Sequence, residues 1–160
     1  MSDFLITFLA SFLIWFMFAG LLVLWFFRKN IKSRHIFHAI TASFVAFLIS
    51  QLIKLLFPTL RPFEVTGEIP LTLTIPIDPA FPSSHSSSAF ALAVSVQRHD
   101  KKAGFVFVLF AMLVGLGRVL GNVHYYYDIF GGAIVGILSV IFFEKVYEKK
   151  PLGIRWFSTS

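Results

Sequence analysis

The chain has 160 residues, 21 of them Phe, with 57% hydrophobic and 14% charged residues and a mean hydropathy of +0.80. Values this apolar lie outside the soluble range, and the length leaves room for one domain only, so residues 1–160 read as a single membrane-embedded unit. With no cysteine there is neither a disulfide framework nor a thiolate metal site. No nucleic-acid partner is expected, and the sequence carries no signal of oligomeric state.

The first apolar stretch, Phe4 to Phe27, runs 24 residues without a charge, enough to cross a hydrocarbon core of roughly 30 Å at about 1.5 Å per residue. A secretory signal peptide would have a shorter apolar region preceded by its positive charge. Here "RKNIKSRH" follows the stretch, which predicts a retained transmembrane helix. Further apolar stretches at Ile36 to Phe57, Ser83 to Gln97, Ala103 to Gly121 and Tyr126 to Phe143 bring the expected total to about five spans in an all-α bundle. The third, at 15 residues, is roughly 22 Å of helix and falls short of a full core, so its N-terminus is expected slightly below the membrane surface. A re-entrant third segment is the alternative, but it would place "QRHDKK" outside, against the charge rule.

Eleven of the fourteen Lys and Arg fall in "RKNIKSRH", "QRHDKK" and the tail "EKVYEKKPLGIRW". The positive-inside rule then puts the N-terminus outside and the C-terminus in the cytoplasm. The other three cations, Lys54, Arg61 and Arg118, fall at outward ends of helices or in outward loops, against that bias. Snorkelling towards headgroups accounts for any one of them alone. Counting crossings, however, brings His85, His124 and Asp128 to the same face as all three.

Three cations beside two histidines and a carboxylate suit a dianionic phosphate, whose spreading charge during phosphoryl transfer they would neutralise. A metal site built on His85, His124 and Asp128 is the rival, but the neighbouring cations would repel a divalent ion. In "FPSSHSSSAFA", Pro82 followed by Ser83 and Ser84 reads as a helix start whose free N–H groups and hydroxyls form an anion site. Serines that only cap the helix or pack closely against a neighbour are the alternative.

Three spaced motifs at these residues resemble a known family. "KLLFPTLRP" (Lys54 to Pro62), "PSSH" (Pro82 to His85) and "GRVLGNVHYYYD" (Gly117 to Asp128) are together similar to the signature of the type 2 phosphatidic acid phosphatases, whose site is related to that of vanadium haloperoxidases. Bacterial lipid A 1-phosphatases and undecaprenyl pyrophosphate phosphatases are members. The sequence departs from the family pattern at two positions, with Ser84 for the usual Gly and Gly117 for the usual Ser. Ser84 keeps a backbone N–H but not the closer approach that glycine permits. Gly117 removes a hydroxyl, for which Ser83 is the substitute.

The resemblance implies a metal-independent lipid phosphatase that needs no cofactor. In it His124 attacks phosphorus to form a phosphohistidine and Asp128 holds the ring in the required tautomer. His85 protonates the leaving oxygen and then activates water, while Lys54, Arg61, Arg118, Ser83 and Ser84 hold the phosphoryl group. The substrate is expected to be a lipid phosphate or pyrophosphate in the bilayer, of the lipid A 1-phosphate, undecaprenyl pyrophosphate or phosphatidylglycerol phosphate type. The site is expected on the outer face of a bacterial cytoplasmic membrane. A phosphotransferase using the same intermediate and a non-enzymatic anion carrier remain as rivals.

Other features read as structural. Gly132 and Gly136 form a G-x-x-x-G step suited to close helix packing. Tyr125 to Tyr127 and Trp25 suit a membrane interface. His35, His38 and His99 fall at the cytoplasmic side and receive no role. The linker Pro58 to Pro82 holds six of the seven prolines; its "LTLTI" alternates as a short strand or an amphipathic cover does, and the linker is expected to be a connector, with a lid as the alternative.

Overall fold

Small side chains decide which helix occupies the middle of the bundle. The computed structural model describes residues 2–148. Its helices are α1 (Asp3–Ser11), α2 (Leu13–Phe27), α3 (Ser33–Leu56), α4 (Pro62–Thr66), α5 (Ser84–His99), α6 (Lys101–Leu120) and α7 (Tyr126–Glu148). Helix α5 is packed against α2, α3, α6 and α7, and α1 lies on α6.

The reason lies in α5 itself. Ser86, Ser87, Ser88, Ala89, Ala91, Ala93 and Ser95 are all buried, and residues this small let neighbouring backbones come close where lipid offers no hydrophobic drive between helices. Towards α3, Ser43 Oγ donates to the Ser88 carbonyl at 3.2 Å and Ser88 Oγ returns a bond to the Ser43 carbonyl at 3.3 Å. Ser50 Oγ donates to Ser87 Oγ at 2.6 Å. Side-chain bonds between membrane helices contribute on the order of 0.6 kcal/mol each, so these serines fix register more than they supply stability.

On the α7 side, the expected role of the glycine step holds. A Cβ on Gly132 would stand 2.6 Å from the Ser83 carbonyl oxygen, and one on Gly136 would stand 2.4 Å from that of Ser87. The apolar core fills the remaining side with Met17 and Leu21 of α2, Leu92 and Val96 of α5, and Phe107 and Val114 of α6.

By length and composition α3, α6 and the Tyr126–Lys145 part of α7 can cross a membrane, and the bent pair α1 and α2, counted as one span, gives a fourth. Helix α5 has 16 residues, roughly 24 Å, which is shorter than the hydrocarbon core.

Two expectations need correction. Phe4 to Phe27 is not one continuous helix: α1 and α2 meet at Phe12 with a bend of 54°. One side chain from elsewhere, Arg118, bonds a ladder carbonyl at this point, which is a known cause of sharp kinks. Arg118 Nη1 donates to the Ala10 carbonyl at 3.1 Å, and the Leu73 N–H donates to Ser11 Oγ at 3.0 Å.

The linker "LTLTI" forms no strand, and none occurs among the described residues. It is a strap held at both neighbours, with the Leu71 N–H bonded to the Gly121 carbonyl at 3.0 Å and Leu73 to Ser11. Prolines at 70 and 76 on either side remove the donors a ladder needs. The linker does contain a short helix, α4, started by Pro62 and by Glu64 Oε2 accepting from the Arg61 N–H at 2.6 Å. Of the basic tail, Lys149 to Trp156 lies outside the described residues.

Candidate active site

Alternate helix ends bring the predicted residues together. Lys54 lies in the last turn of α3, Arg61 immediately before α4, Ser83 and Ser84 at the start of α5 with His85 beside them, and Arg118 in the last turn of α6. His124 precedes α7, and Asp128 lies in its first turn. His35 and His99 stack at 3.7 Å between ring centroids at the other end of the bundle, away from these groups.

The histidine and aspartate four residues apart do meet. His124 Nδ1 lies 3.3 Å from Asp128 Oδ2, and the Tyr125 N–H donates to the same oxygen at 2.8 Å. On the other side of the ring, His124 Nε2 lies 3.3 Å from Arg61 Nη1. Guanidinium only donates and carboxylate only accepts. The ring therefore carries its proton on Nδ1, shared with Asp128, and keeps a lone pair on Nε2. That is the tautomer a nucleophilic imidazole requires. The Asp128 carbonyl accepts from the Ser83 N–H at 3.0 Å, which ties the start of α5 to the start of α7.

The three cations are used differently. Arg61 donates through Nε to the Asp78 carbonyl at 2.7 Å, through Nη1 to the Val123 carbonyl at 2.7 Å, and through Nη2 to Asp78 Oδ1 at 2.9 Å and the Pro79 carbonyl at 3.3 Å. Lys54 Nζ lies 2.7 Å from Asp78 Oδ2 and also donates to the Pro79 carbonyl. Arg118 is anchored through Nη1 on Ala10, while its Nε, like Asp128 Oδ1, has no hydrogen-bond partner among the described residues.

Asp78 is the residue that sequence reasoning passed over. It is the single acidic residue between Glu68 and Pro82, in a segment read only as a connector, and no local motif marks it. Burial works to raise its carboxyl, but the hydrogen bond and charge of Lys54, with Arg61, outweigh burial and hold it below the usual carboxylate range.

The five serines of "FPSSHSSSAFA" divide their work. Ser83 Oγ caps α5, accepting from the Ser86 N–H at 3.4 Å, and Ser84 Oγ accepts from Gln51 Nε2 at 3.3 Å. Ser86 and Ser87 are buried packing residues. Ser84, His85 and Ser88 instead line the end of a groove of about 320 Å³ between α2 and α3. Its walls are apolar, with Trp15 and Phe18 from α2 and Ile40, Phe44 and Phe47 from α3. Trp15 and Phe44 are exposed on the outside of the bundle. Among the described residues no group of three or more His, Asp or Glu side chains is placed to hold a metal ion.

The model of the PAP2 superfamily matches residues 35–151, most of the chain. The chain belongs to this family. Two curated relatives from Bacillus are similar to it. The bacitracin transport permease protein BcrC of Bacillus licheniformis is 29% identical over 86% of this chain and 68% of the relative. The undecaprenyl-diphosphatase BcrC of Bacillus subtilis (strain 168) is 28% identical over 78% of this chain and 64% of the relative. The chain thus spans about two thirds of the length of these relatives. Among solved structures, LpxE of Aquifex aeolicus superposes with a TM-score of 0.72 at 27% identity, covering 89% of this chain and 85% of the other. A transmembrane PAP2-type phosphatidylglycerolphosphate phosphatase from Bacillus subtilis gives 0.59 at 25% identity, over 88% and 70%.

This PAP2 protein is a multi-pass membrane phosphatase, a hydrolase, as the family and these neighbours establish. Its departure at Gly117 has a packing cause. A Cβ there would stand 2.6 Å from the Ala10 backbone nitrogen and 2.7 Å from Leu9, so the close seat of α1 on α6 requires glycine. The same contact brings Ala10 within reach of Arg118.

Proposed function

We propose that the protein removes a phosphate from a lipid phosphate or diphosphate through a phosphohistidine on His124. The observation that carries this reading is the His124–Asp128 pair at 3.3 Å, whose Nε2 lone pair faces the buried Arg61 guanidinium. His124 attacks phosphorus through Nε2 and Asp128 stabilises the imidazolium that forms. His85, half-buried at the groove's end, gives a proton to the leaving oxygen and then takes one from the water that cleaves the intermediate. Arg118 offers its unpartnered Nε to the phosphoryl oxygens, with Lys54 and Arg61 beside it and the Ser83 hydroxyl and Ser84 amide at the helix start.

A lipid is favoured over a soluble ester because the groove between α2 and α3 leads from the outer surface of the bundle to His85 and is apolar along its walls. A lipid chain lying in it presents its phosphate to the site without leaving the bilayer. Similarity to an undecaprenyl-diphosphatase puts a polyprenyl diphosphate first among candidate substrates. A reading of five crossings with the C-terminus in the cytoplasm, α5 being the short one, favours a site at the outer face of a bacterial cytoplasmic membrane.

The test is phosphate release from undecaprenyl diphosphate, lipid A 1-phosphate, phosphatidylglycerol phosphate and phosphatidic acid, each incubated with purified protein. Release from at least one, abolished by His124→Ala, is the expected result. Phosphate passed to an added lipid or sugar acceptor in place of water would make the protein a phosphotransferase. A carrier has no use for the His124–Asp128 pair, and anion transport that survives His124→Ala would replace the enzymatic reading.

A further inference from the structure

We propose that Asp78 is a specificity-determining residue: an internal carboxylate that occupies Lys54 and Arg61 and yields only to a phosphoryl group of higher charge. Its two oxygens are divided between the two cations, Oδ1 on Arg61 Nη2 at 2.9 Å and Oδ2 on Lys54 Nζ at 2.7 Å. Two non-bridging oxygens of a phosphoryl group make the same pair of contacts. The cations are fixed, with side chains 3% and 2% exposed, whereas that of Asp78 is 39% exposed. Its neighbour Ile77 stands fully in the open. The carboxylate is therefore the mobile partner. Rotation of this one side chain into solvent frees a donor on each cation, while the Ala80 and Phe81 N–H groups keep the following backbone anchored on Thr59.

Charge then decides what displaces it. A phosphodiester headgroup carries one negative charge and returns to Lys54 and Arg61 only what the departing carboxylate removes, while also having to be ordered in the site. A phosphomonoester dianion or a diphosphate brings at least one charge more. Specificity is a difference of affinities, and an occupant that unwanted ligands cannot outcompete produces such a difference. In a bilayer the unwanted ligands are neighbouring phosphodiester lipids, whose headgroups lie at the same depth and in large excess. Asp78 thus keeps the cationic pair from being filled by ordinary phospholipid.

This inference rests on the lipid-phosphatase reading for its biological meaning, but the experiment reads binding. Orthophosphate affinity of the full chain in a phosphate-free detergent is measured by calorimetry, alone and with dioleoyl phosphatidylglycerol added, for the wild type and Asp78→Asn. Asp78→Asn is expected to bind orthophosphate at least about tenfold tighter, the weight of one charge-assisted hydrogen bond. Phosphatidylglycerol should compete for the site in the variant and not in the wild type. Equal or weaker orthophosphate binding by a variant that keeps its thermal transition overturns the proposal, because Asp78 would then be positioning the cations. So does the absence of orthophosphate binding in both proteins. Competition by phosphatidylglycerol in the wild type overturns it as well, and needs no variant to fold. If the wild type hydrolyses no lipid phosphate while this binding pattern holds, the phosphatase reading alone fails. Hydrolysis without the pattern removes only the role given to Asp78.

Discussion

Arg61 Nη1 stands 3.3 Å from His124 Nε2, so the nitrogen proposed to attack phosphorus is faced by a guanidinium that can only donate to it, which keeps the ring proton on Nδ1. The same side chain reaches Asp78, Pro79 and the Val123 carbonyl next to His124. One planar fork thereby sets the distance between the strap and the nucleophile. A lysine ammonium keeps the charge but not the fork. Arg61→Lys is expected to lower kcat by about 10²-fold or more, with the thermal transition nearly unchanged. Steady-state kinetics on the preferred lipid checks this, and near-wild-type kcat would show that charge alone suffices.

Metal independence is predicted from the charge already in place. In the proposed mechanism Lys54, Arg61 and Arg118 supply what a divalent ion brings to other phosphoryl-transfer sites. Activity should persist in EDTA, and vanadate should inhibit because its five-coordinate form resembles the transferring group. Chelation that stops turnover, with zinc or magnesium restoring it, would remove this mechanism.

The close seating of α7 on α5 predicts a stability effect without a direct chemical one. Gly136 lies beyond the site, and a Cβ there would meet the Ser87 carbonyl oxygen at 2.4 Å and the Ala91 nitrogen at 2.9 Å. Both are backbone atoms, so relief requires the helices to part. Gly136→Ala should cost about 1–3 kcal/mol, seen as a lowered thermal transition in detergent. An unchanged transition would mean that the helices separate freely.

Much of this arrangement was legible because membrane helices alternate direction. Cations that oppose the charge bias, at Lys54, Arg61 and Arg118, had to share one end with His85, His124 and Asp128, and the structure groups all six there. The glycine step on α7 was legible because small residues at that spacing have one common use. The break at Phe12 was not, since its cause is an arginine more than a hundred positions away. Asp78 was missed for a similar reason. Nothing in its local sequence says that a proline-rich connector folds back over two helix ends, and only tertiary contact reveals its partners.

Topology makes a prediction of its own. Thr66 ends α4 beside the site, and Lys101 begins α6 at the opposite end; both are exposed. In this cysteine-free chain, single cysteines at these positions should react with an impermeant reagent in intact cells only at position 66. The reverse pattern would turn the site to the cytoplasm and remove every outer-leaflet substrate.

The two histidines are separated by the leaving group. With His85 as general acid, His85→Ala should be severe for a lipid phosphate, whose alkoxide leaves poorly. It should be mild in the first step for an aryl phosphate, whose phenolate leaves unaided. His124→Ala should abolish both reactions because no phosphoenzyme forms. If His85 also activates the water of the second step, as proposed, its variant given the aryl ester should show a burst of phenolate and accumulate acid-labile phosphohistidine. Rapid-quench measurement of phenolate and of protein-bound phosphate reads both quantities together. Equal impairment of phosphoenzyme formation with the two substrates, or phosphate trapped on His85, would reverse the roles assigned to the pair.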